Sequence, residues 1–266
     1  MKREASNVRG DRALEQLKDL PEETRRTLKA FVDEAPGLFG TFLESVILYG
    51  SAARGEFLPG RSNLNLLVLM KELTLDLLRC YARVHRRWAR ENVVVPLFLT
   101  GKEIRTWHGS FPVEFQDIQA HHVVLVGPDP FVDLQVDPRA GSLPAMQGIR
   151  GNVLRFRQRV VEGGATPEAL GVLLPLSVTS LVPHLRSLLQ TRAGLVPRST
   201  DEVLQVCEDT WGTDLQEWSA VKEAWRLKRG MISPGPLEIP RLCERYLLAL
   251  QSLAEHIHNP RAEGGR

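Results

Sequence analysis

The chain has 266 residues and a mass of 29.9 kDa, room for two domains of ordinary size or one large one. Hydrophobic residues make up 43% and charged residues 25%, a mixture that buries a real core and excludes a disordered chain, a collagen-like fibre and a disulfide scaffold. With 34 Lys+Arg against 32 Asp+Glu the formal charge is only +2, so bulk charge singles out neither a nucleic acid nor a membrane as partner.

The first twelve residues are charged and lack the apolar stretch of a signal peptide, and the expectation is a cytoplasmic chain. Cys80, Cys207 and Cys243 are odd in number and far apart, which predicts buried or half-buried thiols in a reducing compartment, with no zinc site or disulfide framework. Leu14, Leu17, Leu20, Leu28, Phe31 and Val32 fall near helical spacing. They predict one amphipathic helix over 11–35, interrupted at Pro21, with Pro21-Glu22-Glu23 as a fresh N-terminus. Ser45 to Tyr49 is a short β-branched and aromatic run stopped by Gly50-Ser51, the pattern of a strand entering a tight turn. A small, polar stretch over 52–62 leads to a second apolar run, Leu64 to Met70, close enough to pair with the first in one sheet.

Further on, the spacing predicts a helix over 73–90, a strand over 93–99, a helix over 102–108 and a strand over 122–126, with 111–120 ambiguous. Beyond Pro144 the strands stop. Helices are expected at 145–162, 167–174, 176–191, 200–211, 214–227 and 239–258, separated by Gly and Pro breaks. The apolar runs Leu64–Met70 and Gly171–Pro183 read as too short or too broken by proline to cross a bilayer. An α/β half followed by an all-α half implies two domains, 1–137 and 144–259, with a frayed tail over 260–266. Residues 1–140 carry 19 basic and 19 acidic side chains, so neither half is a charge specialist.

The stretch that carries chemistry is Tyr49-Gly-Ser-Ala-Ala-Arg-Gly-Glu56 followed by Ser62-Asn-Leu-Asn-Leu-Leu-Val-Leu69. A strand ending in Gly-Ser can offer backbone N–H groups and a hydroxyl to an anion. The next strand then puts residues 63 and 65 on one face. This arrangement resembles the signature of the polymerase-β-like nucleotidyltransferase superfamily, and of its small bacterial members such as aminoglycoside and minimal nucleotidyltransferases. The resemblance spans roughly residues 40–127. It implies an α/β (α+β) fold, a mixed sheet with flanking helices followed by an all-α helical bundle. It also implies that Gly50, Ser51 and Arg54 would form the phosphate-binding turn for a nucleoside triphosphate. In the family, three carboxylates hold two magnesium ions that activate an acceptor hydroxyl for attack on the α-phosphorus.

This sequence departs from the family where the metals would sit. Asp-x-Asp is replaced by Asn63-Leu64-Asn65, and the strand expected to bring the third carboxylate, Val93 to Leu99, contains no acid. A dication about 2.1 Å from one carboxylate charge gains roughly 15 kcal/mol gross at an effective dielectric near 20, whereas an asparagine supplies only a dipole. The reading is a pseudo-nucleotidyltransferase with a residual nucleotide-binding or scaffolding role: Asn63 and Asn65 at degenerate metal positions, no catalytic residue assigned, no cofactor expected, and Mg2+ only if the site is active. Two alternatives stand beside it. One is a working transferase that recruits Glu56, Glu114 or Asp117 to modify a small molecule, a protein or RNA. The other is an interaction module, or a homodimer, built on the helical half.

Other residues invite weaker readings. Arg79, Arg83, Arg86, Arg87 and Arg90 form a basic run at helical spacing that would suit a phosphate backbone. Such a run is more often a solvated face, so nucleic acid is the less favoured partner, and no membrane is expected. His121 and His122 should point to opposite faces of a strand, one packed and one exposed. Glu114 and Asp117 read as a surface pair or helix cap, and Trp107-His108 carries no assigned role. Trp211, Trp218 and Trp225 recur every seven residues and suit packing better than base stacking. No arginine precedes His184, His256 or His258 at the four-to-six spacing of the ribonuclease class found in some accessory bundles, so nuclease activity is not expected.

Overall fold

The computed structural model describes residues 17–135, 137, 140–211 and 217–256. The start of the expected first helix (11–16), part of the inter-domain boundary, the first residues of the helix expected from 214, and the tail over 260–266 lie outside them. The described elements run α1 (Glu22–Phe39), a 3-10 turn (Gly40–Phe42), β1 (Leu43–Tyr49), β2 (Asn65–Met70), α2 (Leu75–Arg90), β3 (Leu97–Thr100), α3 (Gly101–Trp107), α4 (Pro112–Ala120) and β4 (His122–Val126). Helices follow: α5 (Ser142–Glu162), α6 (Pro167–Leu188) with a π turn (Leu189–Ala193), α7 (Thr200–Trp211), α8 (Trp218–Lys228) and α9 (Glu238–His256).

The chain divides into two compact units. One takes in the described residues of Met1–Phe111 and Phe115–Val136, the other those of Pro112–Glu114 and Asp137–Arg266. In the first, four strands form a mixed sheet in the order β3-β2-β1-β4. The centre is antiparallel, with Tyr49 opposite Asn65 on β2 and opposite His122 on β4. β3 joins β2 in parallel. After Asn65, β2 is an unbroken apolar run because both of its faces are covered. Leu66, Val68 and Met70 pack with Phe31 and Phe39 of α1 and Tyr81 and Trp88 of α2. Leu67 and Leu69 pack with Ile104 of α3 and Phe115 and Ile118 of α4.

Local chemistry sets the helix ends. Glu22 and Glu23 open α1, where carboxylates suit the positive end of the helix dipole. The Thr74 hydroxyl accepts from the Leu77 N–H at 3.3 Å to cap α2. Thr100 and Glu103 form a reciprocal box at the start of α3, with the Glu103 N–H donating to Thr100 Oγ1 (3.2 Å) and the Thr100 N–H to Glu103 Oε2 (2.7 Å). The expected strand over 93–99 is shorter: Val93 makes only an isolated bridge to Leu64, and pairing proper begins after Pro96, which has no N–H to donate.

The second unit is all helix, and two expectations about it fail. The separate helices at 167–174 and 176–191 are one helix, α6, with Pro175 and Pro183 inside it. Each proline costs a backbone hydrogen bond. Burial offsets this: Leu170, Leu174, Val178, Leu181, Leu185 and Leu188 lie in the core of the unit. The prolines therefore do not break the apolar run. By length and composition Pro167–Ala193 is long and apolar enough to cross a membrane, and 61% of its most apolar window is buried inside the protein. A closed polar network ties three helices together. Ser177 Oγ donates to Asn152 Oδ1 (2.7 Å), Asn152 Nδ2 to Ser180 Oγ (2.7 Å), and Tyr246 OH to Ser177 Oγ (3.1 Å).

Candidate functional site

β1 ends by delivering Tyr49 to Gly50, whose φ of +78° is a left-handed conformation that L side chains resist. A Cβ at position 50 would also stand 2.8 Å from Asn65 Nδ2. Glycine is thus required twice over, and Asn65 is placed directly against the turn. The chain then folds into a tight turn: the Arg54 N–H donates to Gly50 O (3.1 Å) and the Glu56 N–H to Ser51 O (2.8 Å). Ser51 is half-buried on this turn and Ala52 is buried beneath it.

Asn63 lies just before β2 and is exposed, Leu64 is buried, and Asn65 opens the strand half-buried. The alternation expected for residues 63 and 65 is therefore present. The pair differs in surroundings, since only Asn65 is pressed against Gly50.

Arg54 is more constrained than sequence reasoning foresaw. Its Nε donates to Glu56 Oε2 (3.1 Å), and its Nη1 to both oxygens of Asp117, at 2.9 Å to Oδ2 and 3.2 Å to Oδ1. The three side chains are 11%, 14% and 15% exposed, so this charge cluster is largely out of water. Asp117 also acts on Tyr49, whose phenol is pushed above its ordinary pKa first by burial and then by that negative charge. Asp117 is 63 residues from Arg54, and the signal that could have found it was the unexplained acid in Glu114-Phe-Gln-Asp117.

Glu114 and Asp117 are not a pair. Asp117 faces Arg54, whereas Glu114, in the first turn of α4, acts on His184 in the helical unit. Neither His121 nor His122 is exposed. The His122 ring is held, its Nδ1 3.0 Å from Ile118 O and its Nε2 3.1 Å from Asp129 Oδ2, against Phe131. Trp107 is exposed and His108 half-buried. Trp218 and Trp225 are buried in the helical core and Trp211 packs against it, in keeping with packing. Cys207 and Cys243 are buried and free, Cys80 half-buried.

The donor set around the turn does not fit a pair of magnesium ions. Asn63 and Asn65 are neutral amides, and the nearby carboxylates, Glu56 and Asp117, are both engaged by Arg54, whose single positive charge offsets one of the two. Magnesium wants hard, charged oxygens in octahedral array. Among the described residues, no group of three or more His, Cys, Asp or Glu side chains could hold a metal ion.

No family model matches this sequence, and no curated protein matches it. Solved structures do. One is spectinomycin adenyltransferase AAD(9) from Enterococcus faecialis, determined with ATP and spectinomycin, which superposes with a TM-score of 0.58 at 12% identity. The match covers 87% of this chain and 100% of that one. The chain thus has the nucleotidyltransferase fold, a mixed sheet with flanking helices followed by a helical region.

Proposed function

We propose that this protein is a pseudo-nucleotidyltransferase, with a nucleotidyltransferase-like domain over 1–137 and a helical bundle over 144–259, that keeps the nucleotide turn without the metal chemistry. Gly50 and Ser51 form the remnant phosphate turn, and Arg54 supplies charge beside it that is already shared with Glu56 and Asp117. Asn63 and Asn65 occupy the former metal positions. The observation that carries the reading is the side chain of Asn65, an uncharged amide packed against Gly50 where the family places a carboxylate. The fold neighbour was determined with ATP, and a nucleoside triphosphate is the ligand the turn would retain, weakly and without dependence on a divalent ion.

The test is calorimetric titration of ATP and the other nucleoside triphosphates into the full chain, with and without Mg2+. The expected result is weak or absent binding that Mg2+ does not strengthen. Sub-millimolar binding that requires Mg2+ would overturn the reading.

A further inference from the structure

A row of arginines on α2, remote in role from the nucleotide turn, carries a second inference. At 100° per residue, Arg79, Arg83, Arg86 and Arg90 fall within an arc of about 60°, one straight line along the helix. With a rise of 1.5 Å per residue the line is about 17 Å long. The opposite side of the helix is fixed: Tyr81 and Trp88 are buried against α1 and the sheet. The arginines are therefore held outward, and all four are exposed.

The neighbouring charges do not explain the row. From Leu77 to Arg90 the helix holds five arginines and no acid. Asp76 pairs with Arg79 at 3.1 Å, and Glu34 of α1 pairs with Arg87, which also lies over the Trp88 ring. Glu91, just past the helix, accepts from Thr27 Oγ1. Among the described residues, no carboxylate lies within ion-pair distance of Arg83, Arg86 or Arg90. A face serving only solubility interleaves both signs, because like charges three and four residues apart repel. This face maintains that repulsion along three turns, in a chain whose formal charge is only +2.

We propose that this face of α2 binds the phosphate backbone of a single-stranded nucleic acid, three or four phosphates in line. Guanidinium groups pair with phosphate oxygens bidentately, and the Cβ atoms of successive arginines in the row stand about 5–6 Å apart. A duplex strand completes a turn in about 10.5 base pairs and so leaves a straight row of cations after two or three phosphates. A single strand can follow it. A membrane surface fits less well, since the apolar face of α2 is sealed in the core and cannot enter a bilayer.

The experiment is fluorescence anisotropy of a labelled 12-nucleotide single strand with the full chain over a salt series, against the triple variant Arg83→Gln/Arg86→Gln/Arg90→Gln. The wild type should bind at low salt with a log–log salt slope near −2 to −3, about −0.7 per phosphate neutralised. The triple variant should bind at least ten-fold more weakly with a slope reduced by about two, and a triple Lys variant should keep most of the binding. Removing mutual repulsion should leave the melting temperature of the Gln variant unchanged or raised, so misfolding would not mimic the loss. Failure of the wild type to bind, binding unaffected in the triple variant, tighter binding of a matching duplex, or arginine-dependent binding to vesicles of anionic lipid instead would each overturn the proposal.

Discussion

Arg54→Met is the perturbation that most directly probes the charge cluster beside the Gly50-Ser51 turn. Two opposite charges about 3 Å apart attract by roughly 5 kcal/mol gross at an effective dielectric near 20, and Arg54 meets both Glu56 and Asp117 at that range. Much of this gain offsets the cost of withdrawing all three groups from water. What the substitution exposes is the residue of that balance: two carboxylates, 14% and 15% exposed, that have lost the guanidinium of Arg54. Breaking a buried pair from one side costs about 3–5 kcal/mol. The partial exposure here lowers the expectation to about 3 kcal/mol, a fall in melting temperature on the order of 10 °C. Circular dichroism during thermal and urea unfolding measures it. Arg54→Met/Glu56→Gln/Asp117→Asn should recover at least half of the loss, because neutral side chains of similar shape no longer need a cation. A loss below about 1 kcal/mol in Arg54→Met, or no recovery in the triple variant, would refute the reasoning that these carboxylates are committed to Arg54.

Other outcomes follow from close packing and burial. Gly50→Ala should destabilise the first unit by about 2–3 kcal/mol in urea unfolding, from its left-handed backbone and the contact with Asn65; adding Asn65→Ala should return only the contact part. A Cβ at Gly148 would stand 2.2 Å from His184 Cε1, so Gly148→Ala should cost at least 1–3 kcal/mol, and His184→Ala should rescue much of it. Burial lowers the His184 pKa below 6.5, with Arg155 assisting and Glu114 opposing. The unfolded chain then takes up the proton first, so stability should fall as pH drops below about 6.5, and His184→Gln should flatten that slope in urea titrations between pH 5 and 7. Burial raises both core thiols, Cys243 to about 11, so a disulfide reagent should label Cys80 promptly and the other two only on unfolding.

Much of the local geometry of the candidate site was readable because its signals are local. Gly50 closes a strand, the asparagines alternate across Leu64, and the distance from turn to strand is short enough to fix by counting. The ends of α7 and β4 were equally plain, the one marked by Thr200 and acids in its first turn, the other by a run of β-branched residues ending at Gly127. The rest depended on partners far along the chain. Nothing near Arg54 announces Asp117, 63 residues further on. Pro175 and Pro183 are strong local break signals, and the burial of α6 outweighs them. Likewise Pro36 lies inside α1 instead of ending it, because Ala35 and Phe39 on either side are anchored in the core.

The central proposal, that the amides at 63 and 65 leave the Gly50-Ser51 turn unable to hold divalent ions, is tested most directly by manganese. Electron paramagnetic resonance counts bound Mn2+ in the presence of ATP, in the wild-type chain and in Asn63→Asp/Asn65→Asp. The expected result is no protein-dependent binding in the wild type and a gained site in the double variant. Stoichiometric Mn2+ binding by the wild type that is lost in Asn65→Ala would contradict the account.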